Sequence, residues 1–409
     1  MSEPSVVLLT REYPPNVYGG AGVHVDYLSR ELSRLVPVEV RCFGPREPED
    51  ERMSESLRVR SFEAWPGPAG AEAYRGALRT ISVDLAMAAG IEGAAVVHSH
   101  TWYANLAGHL AKLAHGVPHV MTTHSLEPLR PWKAEQLGAG GYAVSSFCER
   151  TAIEAADAVI AVSEEMGRDV LSSYPAVDAG RVHVIHNGID LDEYRPDPGV
   201  DVLERHGVDP ASPSVVFVGR ITRQKGIAHL LDAAAAFEPG AQLVLCAGAP
   251  DTPEIAREIA QKVSELRARR PGVVWIDRML EKPEVIQLLS HASVFVCPSV
   301  YEPLGIVNLE AMACQAPVVA TATGGIPEVV EDGVTGLVVP FEPADPVTRT
   351  PKDPAGFASA FAERVNALLR DPSRARAMGR AGRERAADLF GWRSIAERTL
   401  ELYRSLAPA

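Results

Sequence analysis

Short apolar runs alternate with amphipathic stretches along most of the sequence. "SVVLLT" (5–10), "VEVRCF" (38–43), "AAVVHSH" (94–100), "PHVMTTH" (118–124) and "ADAVIAVS" (156–163) read as strands. Their near-continuous Val, Ile and Leu content is what parallel strands covered on both faces require. "GVHVDYLSRELSRL" (22–35) reads as a helix, with Leu28, Leu32 and Leu35 along one stripe. The pattern restarts after "VHVIHNGIDLDEYRPDP" (182–198). A strand, loop and helix in "PSVVFVGRITRQKGIAHLLDAAAAF" precede "QLVLCAG" (242–248), "GVVWID" (272–277), "SVFVCPS" (293–299) and "APVVAT" (316–321). The expectation is an α/β protein of two doubly wound parallel-sheet domains, hinged near Gly188 to Pro198. The division expected is 1–190, 191–390 and a C-terminal helix in 391–409 that crosses back onto the first domain. "FEPADPVTRTPKDPAG" (341–356) reads as a surface loop. Two such sheets facing each other leave a cleft, and their ligands sit beyond the carboxyl ends of the strands. The strand-to-helix loops are therefore where chemistry is expected.

Bulk properties narrow the class. At 409 residues the chain has length for two domains, and 46% hydrophobic and 23% charged residues suit a soluble globular protein. A net charge of -13 argues against general nucleic-acid binding, which needs a basic face. Cys42, Cys148, Cys246, Cys297 and Cys314 are scattered, with no C-x-x-C pair, as expected for reduced thiols in a cytoplasmic protein. The N-terminus lacks the basic and apolar pattern of a signal peptide, and no apolar window approaches the ~20 residues of a spanning helix.

Four loops carry candidate chemistry. In "TREYPPNVYGGAGVHV", Gly19 and Gly20 open a helix and let a ligand approach the backbone; a flexible glycine turn is the alternative. The dinucleotide fingerprint fails here, because Val25 stands where its third glycine belongs, and this disfavours an oxidoreductase. In "VFVGRITRQKG", Arg220 and Lys225 suit a diphosphate, or else form a solvated basic loop with Arg223. His98, His100 and His124 end strands of the first half. No acid or cysteine accompanies them at metal-ligand spacing, and hydrogen-bonded structural histidines are the alternative. Trp102 and Tyr103 suit stacking on a sugar, or packing in the core. In "SVYEPLGIVNLEAMACQAPVVAT" (299–321), Glu302 precedes a helix and Glu310 lies within it. A carboxylate suits a vicinal diol such as a ribose, and the helix mouth at Leu304, Gly305 and Ile306 offers amides to a phosphate. Two surface acids on an ordinary helix are the alternative.

Together these segments resemble retaining glycosyltransferase family 4, of the GT-B fold. "EPLGIVNLE", "VGRITRQKG", "HNGID", "TATGGIPEVVEDGVTGLVV" and "VYGGAGVHV" carry the likeness over about residues 5 to 340. "LTREYPPNVYGGAGVHV" and "TTHSLEPLRPWK" narrow it to the actinobacterial glycogen synthase type. The resemblance implies that Arg220 and Lys225 neutralise the departing diphosphate, and that Gly305 and its neighbours cap the phosphates. It places Glu310 on the nucleotide ribose, Glu302 on the donor glucose and His124 beside the anomeric centre. It puts Asn187 along the hinge, with Gly19 and Gly20 giving access from the first domain. It also implies a metal-independent enzyme that moves glucose from ADP-glucose with retention. The acceptor would be α-glucose 1-phosphate, giving α-maltose 1-phosphate, or a glycogen chain end. Val17-Tyr18 before Gly19-Gly20, and His100-Thr101-Trp102, depart from the longer starch-synthase motifs Lys-x-Gly-Gly and His-Asp-Trp. Arg11, Arg130 and Lys133 are candidates for an acceptor phosphate, with plain surface charge as the alternative. A nucleotide-sugar epimerase of the same fold, another donor or acceptor, and a non-catalytic sugar-nucleotide module are the competing readings. The partners expected are small molecules, with no nucleic acid and no membrane; homo-oligomerisation is left open.

Overall fold

The computed structural model describes residues 6–17, 19–45, 54–67, 72–345 and 348–406, with backbone only at 72, 73 and 136. Ser5 of the first expected strand, Tyr18 of the glycine loop and residues 346–347 of the Pro-rich segment lie outside the described residues. The chain divides into one unit of Met1–Gly188 with Trp392–Ala409, and a second of Ile189–Gly391.

The first unit holds strands β1 (Val6–Leu9), β2 (Val38–Phe43), β3 (Leu57–Phe62), β4 (Val96–His100), β5 (His119–Thr123), β6 (Ala158–Ala161) and β7 (Val182–Val184). They form a seven-stranded sheet in the order β3-β2-β1-β4-β5-β6-β7, with every pairing parallel. The second unit holds β8 (Ser214–Arg220), β9 (Gln242–Gly248), β10 (Val273–Ile276), β11 (Val294–Cys297), β12 (Val318–Thr321) and β13 (Gly336–Val339). Their order is β10-β9-β8-β11-β12-β13, again all parallel. The apolar runs are thus the buried strands that their composition implies. β3, β7 and β13 are not among the expected strands: "LRVRSF" alternates polar with apolar, β7 is three half-buried residues, and β13 is only four residues, "GLVV".

Strand order places the chemistry. It reverses between β1 and β4 in the first sheet and between β8 and β11 in the second. At such a reversal the adjoining loops diverge and leave a crevice beyond the strand ends. The chain leaving β1, β4, β8 and β11 carries Arg11, Trp102, Lys225 and Glu302 respectively.

The helix read at 22–35 runs from Gly20 to Leu32. Leu28 and Leu32 are in the core, but Leu35 is 38% exposed and beyond the helix end, which corrects its place on the stripe. The last helix, Trp392–Leu406, buries Trp392, Ile395, Ala396, Thr399, Leu400 and Tyr403 at helical spacing. It packs on the helix Gly20–Leu32, and Trp392 stacks on Tyr27 at 5.6 Å between ring centroids. All five cysteines are buried and free. Among the described residues no helix is long and apolar enough to cross a membrane.

Candidate functional site

In the second unit, two loops lock together. β8 ends at Arg220, and a short 3-10 turn, Arg223–Lys225, follows under a cap from the Thr222 side chain. Gly226 adopts φ 64, and a Cβ there would stand 2.0 Å from the Pro298 carbonyl oxygen, so only glycine permits this approach. The Val300 N–H donates to the Gln224 carbonyl at 2.9 Å. This pairing brings Lys225 Nζ to 2.7 Å from Glu302 Oε2, which also accepts from Ser299 Oγ at 3.0 Å. Gly324, at φ 54, lies so close that a Cβ would be 1.9 Å from the Glu302 carbonyl oxygen. Gly325 N–H donates to that same oxygen at 3.0 Å. Glu302 is thus held at backbone and side chain. Burial opposes the charge on Lys225, but Glu302 outweighs it and holds the ammonium pKa above its ordinary value. Arg220 Nη1 pairs with Asp251 Oδ1 at 3.0 Å.

The helix Ile306–Ala313 opens beside this pair, with Gly305 as its N-cap at φ 92. The opening amides of a helix have no intrahelical acceptor and carry its positive end. Leu304 is buried at this mouth. One turn in, Glu310 Oε1 accepts from Tyr194 Oη at 3.0 Å, and burial raises the Glu310 pKa. Lys225, Arg220, Glu302, Glu310 and the helix mouth therefore fall in one unit, at the ends of β8 and β11 and in the helix that follows β11.

In the first unit, histidines gather at the ends of β4 and β5. His98 Nδ1 lies 2.5 Å from Tyr403 Oη, and its Nε2 lies 2.6 Å from Thr122 Oγ1. His100 Nδ1 meets His124 Nε2 at 3.0 Å. His24, from the helix after Gly19-Gly20, bonds Asn187 Oδ1 through Nδ1 at 2.7 Å. Its ring centroid is 4.8 Å from that of His124 and 5.3 Å from that of Trp392. Burial lowers the pKa of His24 to about 4 and holds His98, His100 and His124 well below the usual value. The rings are therefore neutral at pH 7 and pack without mutual repulsion. The ligand atoms of His24, His100 and His124 lie within 4.8 Å of one another. That is a grouping of the size that can hold a metal ion; in the structure His100 and His124 are joined by a hydrogen bond and His24 is bonded to Asn187.

A cationic group forms in the same unit. The Arg11 guanidinium stands 4.2 Å from the Tyr103 ring centroid, and Lys133 Nζ stands 5.7 Å from it. Arg130 Nη2 and Lys133 Nζ approach Glu127 Oε1 at 3.0 and 3.4 Å. Burial pulls the Lys133 pKa down to about 8, with Arg130 adding to the effect and Glu127 opposing it.

Two expectations change. Trp102 is 2% exposed and packs with Ala77 and Cys148, so it is a core residue and offers no face to a sugar. Its neighbour Tyr103 stays half-buried between cations. The Gly19 amide is taken by Glu12 Oε2 at 2.7 Å, which puts a carboxylate where the glycine loop was expected to receive a phosphate. Gly20 begins the helix. The residues that sequence reading passed over are mainly partners: Glu12, His24, Asp251, Ser299, Tyr194 and Glu127. His24 and Glu127 lay inside quoted motifs, but nothing in a linear pattern marks them as buried polar groups.

Two doubly wound parallel-sheet units, with cations, a glycine-capped helix mouth and acids on adjoining loops of the second, define a glycosyltransferase of the GT-B fold. The description Glycosyltransferase Family 4 matches residues 18–193, and Glycosyl transferases group 1 matches residues 212–371. The chain is 56% identical to the alpha-maltose-1-phosphate synthase of Mycolicibacterium smegmatis, over 98% of this chain and 99% of that protein. It is 53% identical to the enzyme of that name from Mycobacterium tuberculosis, over 98% and 99%. Among solved structures, sucrose-phosphate synthase from Thermosynechococcus elongatus superposes with a TM-score of 0.78 at 27% identity, covering 99% of each chain. The chain belongs to glycosyltransferase family 4.

Proposed function

We propose that the protein is a retaining α-1,4-glucosyltransferase that moves glucose from ADP-glucose to α-glucose 1-phosphate, giving α-maltose 1-phosphate. Arg11 and Lys133 over the Tyr103 ring, with Arg130 and Lys133 sharing the one carboxylate of Glu127, carry this reading, because three cations around one acid leave a positive surplus that suits a sugar phosphate better than a neutral glucan end. The names of the mycobacterial relatives support it. In this reading the donor lies on the second unit. Arg220, Lys225 and the amides at Leu304–Ile306 receive the diphosphate, Glu302 the glucose and Glu310 the ribose. His124 lies beside the anomeric carbon, held by His100 and with Asn187 supporting His24. The acceptor O4 bonds to C1 on the face from which the diphosphate leaves, and the hydroxyl proton passes to the departing phosphate oxygen. The two cations supply the charge stabilisation that a metal supplies elsewhere, so the reaction runs without one.

The deciding experiment offers ADP-glucose with either α-glucose 1-phosphate or glycogen and follows ADP release and product. A disaccharide phosphate formed at the faster rate is expected. Preference for glycogen would make this a chain-elongating enzyme and return the three cations to surface charge. Glu310→Ala is expected to weaken donor binding about tenfold, the loss of one charge-assisted hydrogen bond, with a smaller change in kcat. Unchanged donor affinity by calorimetry would remove Glu310 from the ribose.

A further inference from the structure

Every polar end of Glu127 is engaged, and the side chain is fully buried. Its N–H donates to Glu149 Oε1 at 2.8 Å, and its carbonyl accepts from Tyr142 Oη at 2.6 Å. Oε1 meets Arg130 and Lys133, and Oε2 accepts from Ser145 Oγ at 2.7 Å. Apart from Arg130, these partners come from both parts of the helix Lys133–Ala155, which is interrupted at Gly138 (φ 66). Lys133 precedes the break, whereas Tyr142, Ser145 and Glu149 follow it. Glu127 thus ties the turn after β5 to both parts of the helix.

We propose that Glu127 is a positioning residue for the acceptor phosphate, acting through Arg130 and Lys133. This rests on the reading that those cations, with Arg11, take the phosphate of the sugar. Like charges brought together repel, and burial further disfavours the Lys133 ammonium. Glu127 opposes both effects. Because its carboxylate is buried and engaged, it works through the cations and not on the ligand. It leaves Arg11 and a share of the other two charges as the surplus that attracts an anion. It also fixes two long side chains beforehand, so binding does not have to order them. Without its charge Lys133 deprotonates more readily and Arg130 loses its bracket, and both losses outweigh the relief of one nearby negative charge. Glu149 Oε1, which accepts from the Glu127 N–H, also accepts from Tyr174 Oη at 2.5 Å.

The test uses the full-length enzyme with ADP-glucose and α-glucose 1-phosphate. Glu127→Gln keeps the shape and removes the charge. It is expected to raise the acceptor KM about tenfold while kcat and the donor KM change by less than about twofold. Ser145→Ala, which removes one anchor of the carboxylate, is expected to raise the acceptor KM about threefold. A purely structural role would lower the active fraction without splitting one KM from the other. Arg130→Ala separates the two levels. If it leaves the acceptor KM unchanged, the phosphate reading fails and the role of Glu127 falls with it. If Arg130→Ala raises the acceptor KM but Glu127→Gln does not, only the positioning role is overturned. Should Glu127→Gln not fold, an unchanged acceptor KM in Ser145→Ala overturns it.

Discussion

Lys225→Ala is expected to lower turnover about a thousandfold, at the upper end of what loss of one preorganised group at a developing charge produces. The side chain is held by Glu302 at 2.7 Å and by a turn that is itself pinned to Pro298 and Val300, so its ammonium is in place before any substrate arrives. When a diphosphate leaves, negative charge grows on its oxygens, and a fixed cation meets that charge without further ordering. The ground-state donor carries much of the same charge, so donor affinity is expected to fall too, but only about tenfold. Single-turnover release of ADP, set beside calorimetric binding of ADP-glucose, separates the two. Turnover within a few-fold of wild type would remove Lys225 from the diphosphate. Lys225→Arg is not a simple rescue, because the guanidinium must replace a point charge between Glu302 and the ligand.

The second large effect is acid lability of the first unit. His24, His98, His100 and His119 are all buried, and burial lowers each pKa, to about 4 for His24 and about 3 for His119. In the unfolded chain each returns to about 6.5. Between the folded and unfolded values the unfolded state binds more protons, so stability is fully present above pH 6.5 and is lost as pH falls below it. A group protonated in the unfolded chain and neutral in the folded one contributes about 1.4 kcal/mol per pH unit, so four such groups steepen the loss to at most about 5 kcal/mol per unit below pH 6.5 until the carboxylates begin to protonate. Urea midpoints measured at pH 7, 6 and 5 check this directly. A midpoint that stays flat across that window would show that these histidines are protonated in the folded state. Activity measured below pH 6.5 has to be corrected for the unfolded fraction before any loss is assigned to chemistry.

The two-sheet α/β plan was legible because its signal is local and repeated. A parallel strand buried on both faces must be apolar at nearly every position, and a surface helix must carry a stripe. β3 and β7 lay below that threshold, since edge strands face solvent and tolerate polar residues. Leu35 shows the limit of a stripe, because spacing gives the face of a helix but not where the helix ends. Trp102 shows another, since an aromatic beside two histidines suits a sugar platform in one dimension and fills the core in three.

By itself, the sequence determined which residue types stand at or just beyond the strand ends, Arg220, Lys225, Glu302, His100 and His124, and that Glu310 follows within a helix. Those positions follow from the chain's alternation of strand and helix, which is a short-range property. Only the tertiary structure decided who meets whom. Lys225 and Glu302 are 77 residues apart, and they pair because β8 and β11 are neighbours across the reversal in strand order. His98 and Tyr403 are 305 residues apart, and they meet because the last helix packs within the first unit. The state of the buried charges was decided there as well. Desolvation depends on every atom around a group, and no pattern along the chain records that a histidine is neutral or that Glu127 is spent on its neighbours.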